Sequence, residues 1–327
     1  MEGINLQETY FRRNLLITKV VLIALFILVH HFIIVIPFTS QWIFFGILIV
    51  LTGIPHGALD HEVAKQSSKI NQLNFSALNF YIRYLTPMIV YGIFWFIYPT
   101  ISLYIFLLLS AFHFGETDLS IPTNQAGFMV FFLQISYGLL VLFLMLFLNL
   151  AEVLPILDQI NIFSPSLISF LKSTNAIDYA LGSAALFFLI TVVGNWIIQP
   201  TMTTIFKKAF LLLLIVTISS FTLSLPLCFA IYFGIWHSII SLENIRLHLS
   251  YDKDLTWIRL LVKCIPLTIL SLMGIFALIY FFNMNKNLDL FLMSLFIGIS
   301  ILTLPHQEVM SKMYLQLRKK SRVIDLS

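Results

Sequence analysis

Five of the eight histidines sit in short polar runs that interrupt apolar segments. His56 and His61 lie in GIPHGALDHEV, His113 in AFHFGETD, His237 in YFGIWHS and His306 in LTLPHQEV. Neutral imidazole is a good ligand for iron, copper, zinc and nickel, and ionisable groups inside a bilayer are costly enough to ask for a reason. Four segments far apart in sequence, carrying His56, His113, His237 and His306, can converge and build one metal site in the core of a helix bundle. Asp60 follows His56 by four residues and Glu116 follows His113 by three. On a helix such pairs share a face, so each carboxylate is expected to orient its histidine from behind. Gly57 and Gly115 directly follow or nearly follow these histidines and would allow close backbone approach or local unwinding.

A lone intramembrane histidine is more often a hydrogen-bonded packing residue than a ligand. His30 and His31, near the outer end of the first apolar segment, are read that way, and His248 beside Arg246 is read as solvated at a helix end. His61 stands at the edge of a loop. His56, His113, His237 and His306 are set apart by a shared depth. HExxH, paired CxxC and GxSxG are absent from the chain, which removes the usual hydrolase and zinc-protease signatures. Lys19, Arg83 and Lys263 lie inside apolar segments near their ends and are expected to snorkel.

The elements that must hold these residues follow from composition. Of 327 residues, 59% are hydrophobic and 10% charged, and the mean hydropathy is +0.96. Soluble domains carry about 25% charged residues, so 19 basic and 15 acidic side chains cannot cover a water-facing surface of this size. A soluble enzyme, a disordered chain and a nucleic-acid-binding domain are excluded; the fold class is an all-α polytopic membrane helix bundle. A span needs about 20 apolar residues, and ten segments qualify: 14–37, 42–59, 78–98, 101–115, 127–149, 178–198, 209–225, 226–248, 258–282 and 289–310. The second, fourth and seventh are short, which leaves room for eight or nine. Residues 150–177, with Pro155, Asp158, Asn161, Pro165 and Asn175, read as a long extramembrane connection with an interfacial helix. The N-terminal MEGINLQETYFRRN is too polar for a cleaved signal peptide. Cys228 and Cys264, both within apolar segments, support neither a disulfide framework nor a cysteine metal site. No long internal repeat, linker or soluble domain breaks the chain, so residues 1–327 are expected to form one integral membrane domain.

The net charge of +4 reflects topology. Arg12 and Arg13, Lys65 and Lys69, Lys207 and Lys208, and Arg246, Lys253 and Arg259 fall on one side of a ten-span arrangement, together with Lys312, Arg318, Lys319, Lys320 and Arg322; Lys172 and Lys286 fall on the other. The positive-inside rule then puts both termini in the cytoplasm and the four histidines in the cytoplasmic half of a cell membrane.

At these residues the chain resembles the Brp/Blh β-carotene 15,15'-dioxygenases of bacteria and archaea. The resemblance rests on PHGALDH at 55–61, FHFGETD at 112–118, WHS at 236–238 and LPH at 304–306, in that order. It implies a polytopic membrane enzyme holding non-haem Fe(II) through histidines, with β-carotene and O₂ as substrates and all-trans-retinal as product. By motif, His56, His113 and His237 match the family's proposed iron ligands. One position departs: family members commonly continue the last motif as HSPxH, whereas here the run is HSIIS and the position is Ser241. His306 is then expected to complete the site, with His61 the next choice. No general acid or base is named beyond the metal ligands. The competing readings are a His-lined membrane transporter, for which inverted repeats and broken helices are expected, a diiron desaturase or hydroxylase, whose HxxHH-like boxes are absent, another carotenoid- or lipid-modifying non-haem iron oxygenase, and a carotenoid or retinal binder without catalysis.

Overall fold

The computed structural model describes residues 2–33, 35–121, 127–160, 162–251, 255–284 and 288–325, and every regular element among them is helical. The chain opens with α1 (Glu2–Phe32) and α2 (Phe38–Leu48). The latter runs through a π-helical stretch, Ile49–Gly53, into the short α3 (Ile54–Gly57), and a turn at Ala58 and Leu59 leads to α4 (Asp60–Ile70). Next come α5 (Ala77–Ile97), α6 (Pro99–Leu119), α7 (Phe128–Leu148), α8 (Leu150–Ile160), α9 (Pro165–Leu171) and α10 (Ala176–Ile198). A 3₁₀ turn at Pro200–Met202 precedes α11 (Thr203–Thr222). Helix α12 (Leu225–Phe229) passes through a second π-helical stretch, Ala230–His237, into α13 (Ser238–Leu249). Two long helices, α14 (Trp257–Met284) and α15 (Leu288–Asp325), complete the fold.

Local chemistry sets many of the boundaries. Proline is the first residue of α6 and α9 and the second of α12, positions where a missing N–H costs nothing. Ser76 and Ser164 cap α5 and α9 by accepting from Asn79 N and Leu167 N. Ser120, at φ 50°, ends α6 in a left-handed turn.

Eight helical stretches among the described residues are long and apolar enough to cross a membrane, and Ile17–Phe32 of α1 is a shorter apolar stretch. The expected second segment is far longer than 42–59: it continues past the π-helical stretch to give Phe38–Ile70. The expected tenth segment lies within α15. The 150–177 connection holds two helices, α8 and α9, and Glu152 of α8 accepts from Leu225 N at the start of α12. Lys253 and Lys286 lie outside the described residues.

Burial separates centre from periphery. In the most apolar part of Leu225–Leu249 and of Phe128–Leu148, 72% and 61% of the residues are buried, against 6% in that of Trp257–Phe281. Helix α7 packs on α6, α10 and α11 through the largest apolar cluster, which includes Leu133, Tyr137, Val141, Met145, Phe188 and Leu212. Between α6 and α7 the backbones touch: a Cβ at Gly115 would land on the backbone of Gln134, and one at Gly138 on that of Ala111. Small residues at a helix crossing allow this approach. Gly57, by contrast, has nothing within 4 Å of its would-be Cβ; of the two outcomes expected at these glycines, Gly115 shows the close approach, and Gly57 lies where α3 ends in a turn. Helix α15 packs on α4, α5, α6 and α13, which brings the C-terminal helix against the three segments that carry the other motif histidines.

Candidate metal centre

Each of the four histidines sits where its helix is loosened or closely packed. Pro55 and Pro305 immediately precede His56 and His306. A proline in a helix deprives the carbonyl four residues earlier of its donor, and the π-helical stretch Ile49–Gly53 ends just before Pro55. His237 is the last residue of the second π-helical stretch. Such widened turns recur at functional sites. His113 lies on α6, two residues before the Gly115 crossing.

These four elements bring the rings together in the interior. His56, His113, His237 and His306 are 6%, 4%, 0% and 7% exposed. Ligand nitrogens of His56, His113 and His237 all lie within 4.8 Å of one another, and Nε2 of His113 and Nε2 of His237 are 3.1 Å apart. The His306 ring lies 5.1 Å from His56 and 4.9 Å from His113, centroid to centroid. Phe114 and Phe233 wall the cluster, with centroids 4.7 and 5.6 Å from that of His237. A first-row divalent metal roughly 2.1 Å from each nitrogen places neighbouring ligands about 3 Å apart and opposite ones about 4 Å apart. His56, His113 and His237 could therefore hold an ion between them, and the donors suit the imidazole-binding metals.

Behind the rings stands a second layer of acceptors. His56 Nδ1 is 3.3 Å from the Thr52 carbonyl. His306 Nδ1 lies 2.9 Å from both oxygens of Asp60, which also accepts from the Tyr84 hydroxyl at 2.7 Å. His237 Nδ1 faces Asp118 Oδ1 at 3.8 Å, and Asp118 Oδ2 accepts from Tyr137 at 3.1 Å and Tyr232 at 2.8 Å. Carbonyls and carboxylates only accept, so a proton on Nδ1 of His56 and of His306 leaves Nε2 as the donor toward a metal. His306 Nε2 is buried with no hydrogen-bond partner among the described residues, as are His113 Nδ1 and His237 Nδ1.

The carboxylate pairing differs from the sequence expectation. Asp60 serves His306, because the turn at Ala58 and Leu59 separates α3 from α4. Glu116 serves no histidine: it pairs with Arg318 at 2.8 Å and accepts from Ser311 at 2.6 Å and Gln307 at 3.1 Å. Spacing within one segment could not reveal Asp118, Tyr84, Tyr137 or Tyr232. Ser241 is fully buried one turn beyond His237. It faces Tyr314, whose hydroxyl donates to Thr117 at 3.0 Å.

The remaining histidines fall elsewhere. His61 stacks on Tyr81 at 5.6 Å and meets Phe75 and Phe80 edge-on, outside the ring cluster. His30 accepts from Ile36 N through Nδ1, and His31 is exposed. His248 is not solvated: it is 1% exposed, with Nε2 3.2 Å from Ser67 Oγ. Lys19 does not snorkel: it is 4% exposed, with Nζ 5.3 Å from the centre of the Trp236 ring, a cation–π contact. Arg83 is exposed, and Lys263 reaches Glu62. Both cysteines are free and buried.

A family model described as beta-carotene 15,15'-dioxygenase matches residues 47–314, a range that contains all four clustered histidines. The chain belongs to that family. No curated protein and no solved structure matches it.

Proposed function

We propose that this family member holds Fe(II) through His56, His113, His237 and His306 and cleaves the central 15,15' double bond of β-carotene with O₂, giving two molecules of all-trans-retinal. The observation that carries the reading is the convergence of four buried imidazoles from four distant segments. Two of them, His56 and His306, have a hydrogen-bond acceptor behind Nδ1, and the carboxylate of Asp118 stands 3.8 Å from Nδ1 of His237. Bound Fe(II) supplies the activation of O₂. The protein's own part is to present neutral Nε2 donors and to keep water out with Phe114 and Phe233. No side chain has to move a proton, because both oxygen atoms of O₂ end in the two aldehydes.

The proposed setting is one integral domain of the cell membrane with both termini cytoplasmic. Flanking lysines and arginines support this orientation, and the apolar spans would let a hydrocarbon substrate arrive laterally from the lipid. A reporter fused to the C-terminal tail that is active only outside the cytoplasm would overturn it.

The deciding experiment is expression in β-carotene-producing cells, with chromatography of the extracted pigments. Loss of β-carotene with the appearance of retinal is expected. Unchanged β-carotene beside folded, iron-supplied protein would overturn the reading. A modified C40 carotenoid would favour another iron oxygenase, the alternative to which Ser241 points, since that position departs from the HSPxH pattern.

A further inference from the structure

We propose that Tyr84 and Asp60 are a positioning pair for His306, so that a tyrosine on a helix without a clustered histidine sets how tightly iron is held. This rests on the proposal that the clustered histidines bind Fe(II). Tyr84 comes from α5, whose face is otherwise largely turned outward. Its hydroxyl donates to Asp60 Oδ2 at 2.7 Å. Asp60 is 3% exposed and is the first residue of α4, just after the turn that ends α3. The bonds described for its carboxylate are those to Tyr84 and His306, and a carboxylate free to turn about its last torsion would hold His306 loosely. The Tyr84 bond fixes that torsion.

With the carboxylate fixed, both oxygens sit 2.9 Å from His306 Nδ1. The proton is thereby kept on Nδ1, and the Nε2 lone pair is directed into the cluster, where it has no protein partner among the described residues. The ring lies within 5.1 Å of those of both His56 and His113. Tyr84 therefore acts on the metal through two other side chains, touching neither the ion nor the substrate. Outer partners of this kind typically contribute 10–100-fold to metal affinity.

The test uses full-length protein in lipid nanodiscs, loaded anaerobically with Fe(II). Affinity is read by competition with a chromogenic chelator, and geometry by the electron paramagnetic resonance of the ferrous–nitrosyl adduct. Tyr84→Phe should weaken iron binding about tenfold and change the nitrosyl signal. Tyr91→Phe, which removes another hydroxyl of α5 that bonds the Ser102 carbonyl, should do neither. In a His306→Ala background Tyr84→Phe should have no further effect. The pairing is overturned if Tyr84→Phe binds iron as the unaltered protein does, or weakens it equally without His306. Unaltered protein that binds no iron would overturn the underlying iron reading, a result visible before any variant is made. If Tyr84→Phe does not fold, Asp60→Asn in the same cycle decides, because the amide keeps the shape and loses the charge.

Discussion

The Thr52 hydroxyl lies within hydrogen-bond reach of the Gly234 carbonyl, 2.9 Å away across 182 positions of sequence. The two residues belong to the two π-helical stretches, one leading to His56 and the other ending in His237. The same oxygen lies 2.8 Å from the Leu48 carbonyl. Leu48 also sits where a Cβ on Gly234 would go. One hydroxyl thus joins two widened helices just before their histidines. Replacing Thr52 by Val keeps the shape and leaves the Gly234 carbonyl without this donor, at a cost of about 1–3 kcal/mol. A lower thermal midpoint with reduced iron content is expected for Thr52→Val, and near-normal values for Thr52→Ser.

The proposed ligands have an internal control. His56→Ala, His113→Ala and His237→Ala should each abolish retinal formation and lower bound iron at least 10–100-fold, while the protein stays in the membrane. His31→Ala should change neither quantity, and His61→Ala should spare iron binding, since its ring packs on Phe75, Phe80 and Tyr81. Iron measured by elemental analysis of purified protein checks this; full iron in His113→Ala would refute the assignment.

The crossing of α6 and α7 should tolerate no added carbon. At Gly115 and Gly138 a methyl group meets backbone, which cannot rotate away. Overpacking of a core typically costs about 1–3 kcal/mol, and a clash with backbone belongs at or above the upper end. Gly115→Ala and Gly138→Ala should lose monodisperse protein on size-exclusion chromatography in detergent. Gly57→Ala, with open space around it, should elute normally.

Arg318 of α15 and Glu116 of α6 form a buried pair, with side chains 12% and 4% exposed. Removing one partner strands the other charge, which typically costs about 3–5 kcal/mol. Arg318→Gln should therefore destabilise markedly. The double variant Glu116→Gln/Arg318→Gln should recover much of the loss in a thermal-melt assay, because two amides can still bond. Equal melting of the single and double variants would show that the charges do not interact.

A histidine at position 241 would enter a space now bordered by Tyr314. Ser241→His alone should lower stability, and Ser241→His/Tyr314→Ala should restore it and raise iron affinity, because the new ring lies one helical turn from His237. Metal titration of both variants checks this. Affinity unchanged in the double variant would mean that position 241 does not reach the ion.

Much of the site was legible in the sequence because apolar length and depth are one-dimensional properties. They put histidines of four separate segments at one level, and the structure brings those rings together. Partner choice was not legible. His56 and Asp60 satisfy the one-turn spacing, yet the turn at Ala58 and Leu59 rotates Asp60 away toward His306. Glu116 and His113 do share a helix, but a cation 202 positions away takes the carboxylate. Helix-end logic likewise put His248 in water, whereas α4 covers it with Ser67. Such outcomes depend on which distant helix arrives alongside, and no local pattern encodes that. Pro55, next to His56, is the one local signal near a widened helix; the widened stretch that ends in His237 carries no proline.

His306 lies on α15, C-terminal to the helices that carry His56, His113 and His237, and this orders events during biosynthesis. His56, His113 and His237 are all translated before it, and the Asp60–Tyr84 support is already in the chain when α15 emerges. A nascent or truncated chain can offer an ion at most three of the four imidazoles. In the proposed four-histidine site, metal loading through all four rings therefore waits for residue 306, and a premature stop before that codon would leave the fourth donor absent.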